Sequence, residues 1–335
     1  MRLSVVIPYH NSEPWIGKML DSLLDQDLPR DSYEIIAIDD GSTEEPVTLK
    51  EYAEKYPNIH YFRQENSGPS VARNHGVRLA KGEWVYFCDS DDLVQPRALG
   101  AMLDVGDRTE AEVMFCNVVR VEPDESLPAP RLNYSGVSGP VTGCEYVVSL
   151  PSALTVGPPS YLIRRNVIVS NGLLFRDNII YVEDRMFMMD WLPIVKRVIH
   201  VDVDLYYYIQ RPTSIMHEQK ERQYDRYADY MAICQEQLLA MSNNPDYPED
   251  FRREMRTWLD TTACTLLLNM CKYSSTDTTV KHLDRLSALG AYPVQVRGTA
   301  RARRVRRLIN HRRSWLIFCS FYRLLPASLR RRILH

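Results

Sequence analysis

Leu3-Ser4-Val5-Val6-Ile7-Pro8-Tyr9-His10-Asn11 and Tyr33-Glu34-Ile35-Ile36-Ala37-Ile38-Asp39-Asp40-Gly41-Ser42 decide the fold class. Each is a short run of apolar, largely β-branched residues that stops abruptly in polar ones. Between them, Pro14 to Gln26 carries Ile16, Met19, Leu20, Leu23 and Leu24 on one helical stripe, and Pro14 suits a first helical turn. The alternation continues outward. Ile59 to Arg63, Glu83 to Asp89 and Val113 to Val121 read as further strands, and Val47 to Tyr56, Ser70 to Leu79 and Pro96 to Leu103 as helices. Strands alternating with helices predict an α/β fold with a mostly parallel sheet covered on both faces. The strand runs are too apolar for a sheet with one wet side.

Further along, residues 122–142 are rich in Pro, Ser and Gly and read as a long surface loop. Gly143 to Leu150, Tyr161 to Asn171 and Val182 to Ile194 regain structure, followed by a strand near Val198 to Ile209. Beyond Met216 the pattern turns helical, from Glu218 to Met241 and from Pro248 to Tyr273. The expected division is therefore an α/β part over 1–216, a helical part over 217–296 and a basic amphipathic tail over 297–335.

The 335 residues are 45% hydrophobic and 25% charged, an ordinary globular balance long enough for one large domain or two. Seven scattered cysteines form no CxxC pair, and a strand begins almost at once, which together favour a reducing, cytoplasmic setting. Histidines 60, 75, 200 and 282 stand singly and suggest no zinc site. The net charge of -2 hides an asymmetry. Residues 297–335 hold twelve arginines and no acid; taking those twelve from the 41 basic residues leaves 29 against 43 acids, a net of −14 for the rest. Within that tail Val305, Leu308, Ile309, Trp315, Leu316 and Cys319 recur at helical spacing. Its apolar stretch, Trp315 to Leu325, is well short of the roughly 20 residues that span a bilayer. Interleaved Phe318, Phe321 and Tyr322 suit a membrane surface better than nucleic acid, and packing within the helical part is the other reading.

Ligands in a doubly wound sheet bind beyond the carboxyl ends of the strands, and the carboxylates collect there. Asp39-Asp40 ends one strand and Asp89-Ser90-Asp91-Asp92 another. Asp89 and Asp91 project from the same side of an extended segment. Two such carboxylates repel unless a hard cation such as Mg²⁺ or Mn²⁺ lies between them. The bland alternative is an Asp-rich turn ahead of a helix. Asp39 suits a base N–H or a ribose hydroxyl. Glu183-Asp184 heads a helix, where acids also settle for the dipole alone. Arg211 in Tyr206-Tyr207-Tyr208-Ile209-Gln210-Arg211-Pro212-Thr213-Ser214 offers a forked donor set for a diphosphate, and the Ser214 hydroxyl can join it. His217 is a weaker addition.

Taken together, Val5 to Asn11, Ile38 to Ser42, Asn66-Ser67-Gly68-Pro69-Ser70-Val71-Ala72-Arg73-Asn74-His75-Gly76 and Phe87 to Asp92 resemble family 2 glycosyltransferases of the GT-A fold. The resemblance runs on through Phe175, Glu183-Asp184 and Tyr206 to Ser214, about two-thirds of the chain. It implies an inverting transferase that uses a nucleotide-sugar donor, most often uridine-diphospho-linked, with Mn²⁺ or Mg²⁺. Pro8, Tyr9 and Asp39 would line the base pocket, with Arg73 near the base or ribose. Asp89 would hold the ribose, Asp91 the metal, and Asp92 would stand near the sugar. Asp184 would be the catalytic base, with Glu183 on the acceptor side. A hexosyl or N-acetylhexosaminyl transfer to a glycan or lipid-linked acceptor, in bacterial surface-polysaccharide synthesis, is the setting implied. With the basic tail, that means a cytoplasmic enzyme peripheral on the inner face of the cell membrane, with no nucleic-acid partner. Two other readings compete. A nucleotidyltransferase also needs paired carboxylates, but Tyr9-His10-Asn11-Ser12 lacks the glycines of a phosphate loop. A non-catalytic, membrane-recruited interaction protein would not need Asp89, Asp91, Asp184 and Arg211 intact.

Overall fold

The computed structural model describes residues 1–123, 125–150, 154, 157–211, 224–295 and 306–325. The chain separates into two compact units, Met1–Arg211 and Pro212–His335.

In the first unit the apolar runs become parallel strands. β1 (Leu3–Tyr9), β2 (Tyr33–Asp40), β3 (Ile59–Gln64) and β4 (Trp84–Phe87) lie in the order β3-β2-β1-β4. All eight residues of β2 are buried, because helices cover both faces of the sheet. The parallel register places Tyr9 opposite Asp39, and Asp39 opposite Arg63. Polar strand ends are thus aligned along one edge. Helices α1 (Glu13–Leu24), α2 (Val47–Lys55) and α3 (Pro69–Leu79) make the crossovers. Gly76 lets α3 lie directly on β1, since a Cβ there would be 2.3 Å from Val6 Cγ1. Gly41, at φ +65°, lets the end of β2 meet the backbone of Asn66, where a Cβ would come within 2.6 Å.

Beyond β4 the sheet changes direction. Strand β8 (Tyr161–Arg164) is antiparallel to β4 and to β6 (Val113–Val121), and β6 is parallel to β9 (Val198–Ile209). The two-residue β5 (Leu93–Val94) closes the far edge against β9. The segment expected to be loop over 122–142 is partly strand: β7 (Leu132–Val141) pairs antiparallel with β9 through two register shifts. Its largely exposed side chains lack the alternation that marks a half-buried strand, which is why the sequence hides it. Helices α4 (Leu99–Arg108), α5 (Gly143–Ser149), α6 (Arg165–Ser170) and α7 (Glu183–Trp191) complete this unit.

The second unit is helical. It contains α8 (Tyr224–Asn243), α9 (Glu249–Tyr273), α10 (Thr276–Ala288) and α11 (Arg312–Leu324). The start of the expected Glu218 to Met241 helix lies outside the described residues. In α11, Trp315, Cys319 and Tyr322 are buried, so part of the basic tail packs within this unit. No helix among the described residues is long and apolar enough to cross a membrane.

Candidate active site

The end of β2 supplies two fully engaged carboxylates. Asp39 accepts hydrogen bonds from the Tyr61 hydroxyl (3.0 Å), Arg63 Nη1 (2.9 Å) and the Ser42 amide (2.9 Å). Asp40 accepts from Gln64 Nε2 (2.9 Å) and from the amides of Ser67 (2.8 Å) and Gly68 (2.7 Å). It thereby ties the turn at the head of α3 to the sheet. Beside them on β1, Pro8 is half-buried and Tyr9 buried. The Tyr9 hydroxyl donates to Glu13 (3.2 Å), and burial, with the Glu13 charge adding, pushes the phenol pKa up.

Past the end of β4 the acidic cluster divides by exposure. The side chains of Asp89 and Asp91 are 39% and 41% exposed, whereas Asp92 is buried. The Asp89 carboxylate accepts from Arg73 Nη2 at 3.0 Å. Its amide donates to the Tyr206 hydroxyl at 3.0 Å, and that hydroxyl donates to Asp92 at 2.7 Å. The other Asp92 oxygen takes the Ile209 amide at 2.8 Å. Both Asp92 oxygens are therefore spent on β9, which bears on the place near the sugar expected for it. Burial, reinforced by the charges of Asp89 and Asp91, pushes Asp92 to about 8. Asp91 is also held above the ordinary carboxylate range, by burial first and by the Asp89 charge second; Arg211 opposes the shift. Arg211 Nη1 pairs with Asp91 at 2.9 Å, and its guanidinium lies 4.8 Å from the Trp15 ring centroid. Trp15, half-buried on α1, is thus a platform for that cation.

The head of α7 faces the same cluster through Arg73. This arginine is buried on α3 and donates to Asp89 on one side and to Glu183 at 3.1 Å on the other. Burial lowers its pKa and the two carboxylates more than restore it, leaving it raised. Glu183 is pushed to about 7 by burial, only partly offset by Arg73. Asp184 is half-buried; one of its oxygens accepts the Arg185 amide at 2.6 Å. The other lies 3.3 Å from where a Cβ on Gly157 would stand. Val182, immediately before this pair, is left-handed at φ 64°. That is a costly conformation for a β-branched residue, of the kind that concentrates at functional sites.

A structural frame holds these parts. Asn74, next to Arg73, exchanges two hydrogen bonds with the backbone of Phe175 (2.7 and 2.9 Å). Phe175 stacks on Phe187 of α7 at 3.9 Å and meets Phe87 of β4 edge-on at 5.1 Å. The sequence displayed Asn74 within a motif but gave no sign that it clamps a segment a hundred residues away. Of the expected residues, Asp39, Arg73, Asp89, Asp91, Asp92, Glu183 and Arg211 are linked by hydrogen bonds or ion pairs to neighbours in this region, and Pro8 and Tyr9 adjoin Asp39. Ser214 and His217 lie outside the described residues. No group of three or more His, Cys, Asp or Glu side chains arranged for a metal occurs among the described residues.

A model described as glycosyl transferase family 2 matches residues 4–168. The chain is 30% identical over 245 residues to the uncharacterized glycosyltransferase YibD of Escherichia coli (strain K12), covering 69% of each chain. It is 30% identical over 215 residues to a poly(ribitol-phosphate) beta-glucosyltransferase of Bacillus spizizenii, which is 63% of this chain but 33% of that relative's length. The chain thus spans about a third of that protein. Staphylococcus aureus TarS 1-349, solved in complex with UDP-GlcNAc, superposes with a TM-score of 0.65 over 96% of this chain and 92% of that one. At 21% identity that likeness speaks for the shared GT-A fold. By its sequence match and its fold, the chain belongs to glycosyl transferase family 2.

Proposed function

We propose that this chain moves a hexose or N-acetylhexosamine from a nucleoside-diphosphate sugar to a hydroxyl of a glycan or lipid-linked acceptor, inverting the anomeric centre. The observation that carries this reading is the double grip of Arg73, which ties Asp89 to Glu183 and so sets the Asp89-to-Asp92 cluster against the Glu183-Asp184 pair. In this assignment Pro8, Tyr9 and Asp39 receive the base, and Asp89 the ribose. Uridine diphosphate is our choice of nucleotide because the similar TarS structure carries a UDP sugar. Arg211, with Ser214, clamps the diphosphate with charge-assisted hydrogen bonds. Asp184 accepts the proton of the acceptor hydroxyl as its oxygen bonds to the anomeric carbon. The bond from that carbon to the diphosphate oxygen breaks on the opposite side and its electron pair leaves with the nucleotide. Asp92 anchors the cluster to β9 from beneath rather than touching the sugar.

The residues fit a divalent ion. Asp91 is partly exposed, is raised above the ordinary carboxylate range and stands next to a second carboxylate. A hard cation relieves that arrangement, and Mg²⁺ or Mn²⁺ sites commonly use only one or two protein carboxylates together with substrate phosphates. When bound at Asp91, Mn²⁺ or Mg²⁺ would supply neutralising charge for the departing diphosphate. We place the enzyme on the cytoplasmic face of the cell membrane, held through the basic segment 297–335, in surface-polysaccharide synthesis.

Donor hydrolysis across a panel of nucleotide sugars, with Mn²⁺, Mg²⁺ or EDTA, tests the reading in wild type, Asp91→Asn and Asp184→Asn. Release of a nucleoside diphosphate from one donor, abolished by EDTA and by Asp91→Asn, is expected. Nucleoside monophosphate as product would mean nucleotidyl transfer, and no turnover or donor binding under any condition would leave a non-catalytic protein.

A further inference from the structure

Helix α11 has two apolar faces, and the helical unit uses one of them. Trp315 is fully buried and Cys319 and Tyr322 lie on the same side. Arg323 reaches back to α9 and α10, donating to the carbonyls of Cys271 (3.3 Å) and Met270 (3.4 Å) and to the Thr276 hydroxyl (3.0 Å). Arg312 pairs with Asp284 of α10. These contacts fix the orientation of the helix about its own axis.

The opposite face is left outward. Ile317, Phe321 and Leu324 follow one another at i, i+4 and i+7 and are 70%, 59% and 84% exposed. Arg313, also exposed, stands one turn ahead of Ile317 on the same stripe, and exposed Arg307 lies in the helical turn before α11. Single exposed apolar residues are ordinary, but three large ones in a row on a fixed face call for a partner. Charge selects among partners, since residues 297–335 contain twelve arginines and no acid. A second copy meeting this face in a two-fold dimer would set arginine against arginine, with no acid in the segment to pair them. Nucleic acid offers phosphate but no hydrocarbon for the stripe. An anionic bilayer offers both, phosphate for the guanidinium groups and acyl chains for Ile317, Phe321 and Leu324.

We propose that the outward face of α11 is a contact surface for an anionic lipid bilayer, the helix lying in the interface plane rather than crossing it. This deepens the peripheral placement proposed above but rests on the helical unit alone, so it stands or falls separately from the transfer chemistry. The sequence posed packing and membrane contact as alternatives for this segment; on this inference one face serves each.

The test is sedimentation of the whole chain with vesicles of phosphatidylcholine containing one-third phosphatidylglycerol, and with phosphatidylcholine alone. Binding to the anionic vesicles only, weakening as salt rises, is expected. The triple substitution Ile317→Ser, Phe321→Ser, Leu324→Ser should lower partitioning at least ~10-fold while leaving the melting temperature and donor hydrolysis in place. Arg307→Gln with Arg313→Gln should reduce binding to the same vesicles and flatten its salt dependence. Wild type that ignores anionic vesicles, or a triple variant that binds them as well as wild type, would overturn the proposal. So would a wild-type oligomer that the triple variant dissolves without any vesicle binding, which would assign the face to a second copy.

Discussion

Arg73 of α3 and Glu183 of α7 lie 3.1 Å apart, both nearly removed from solvent, with Asp89 on the other side of the same guanidinium. One cation therefore serves two acids from distant parts of the chain. The arrangement makes Arg73 a positioning residue. Arg73→Met removes the guanidinium that compensates Glu183 in its buried place, at a cost of about 3–5 kcal/mol. The expected outcome is a lower melting temperature and loss of donor hydrolysis, with Arg73→Lys recovering part of the stability but little activity, since a point charge cannot fork between two carboxylates. Arg73→Met that melts like wild type would show that the bridge holds nothing.

The raised pKa of Glu183 sets a pH dependence. Its folded value, about 7, lies above the ordinary 4.5, so between those values the folded protein binds more protons than the unfolded chain. Stability from this group is then full below about pH 4.5 and is lost as pH rises through 7, the reverse of a salt-bridged acid with a depressed pKa. Glu183→Gln should flatten that part of the curve and gain on wild type at pH 8. Urea unfolding midpoints at several pH values would read it, and parallel curves for the two proteins would refute it.

Tyr206 links three elements by one hydroxyl, donating to Asp92 and accepting from the Asp89 amide. Tyr206→Phe strips a partner from both and should cost about 1–3 kcal/mol. Because Asp92 also holds the Ile209 amide, two residues before Arg211, the diphosphate clamp proposed for Arg211 should loosen with it. A KM for the donor that rises several-fold, with kcat less affected, is expected from steady-state kinetics. An unchanged KM would confine Tyr206 to packing.

How much of this was legible beforehand follows from the range of each interaction. The parallel strands and their acidic ends were readable because apolar runs and their polar stops are local signals. The exposed strand β7 lacks any such pattern, and α10 opens on Thr276-Asp277-Thr278-Thr279, poor helix formers whose start is secured by the Ser275 cap. The residues of the candidate site could be named as types from the sequence, but not their pairings. Arg73 finds Glu183 across 110 residues and Arg211 finds Asp91 across 120. No periodicity encodes such contacts; they follow from the sheet order and from the aromatic stack of Phe87, Phe175 and Phe187.

Val182 gives the sharpest separation of stability from activity. It precedes Glu183-Asp184 at φ 64°, a conformation that costs a valine about 1–3 kcal/mol and a glycine almost nothing. Val182→Gly relieves that strain but adds backbone freedom to the unfolded chain, worth up to ~1 kcal/mol in the opposite direction. The melting temperature should therefore stay level or rise. Activity should move the other way, because the same freedom lets the head of α7, and Asp184 with it, sample orientations away from the acceptor. A several-fold fall in kcat at unchanged or higher melting temperature is the expected pair of results. The Gly157→Ala variant approaches Asp184 from its other side, where the added methyl would sit 3.3 Å from the carboxylate oxygen, and should lower kcat without the gain in stability. If Val182→Gly instead unfolds earlier than wild type and keeps its kcat, the left-handed turn is held by its surroundings at no cost and has no part in aiming the base proposed at Asp184.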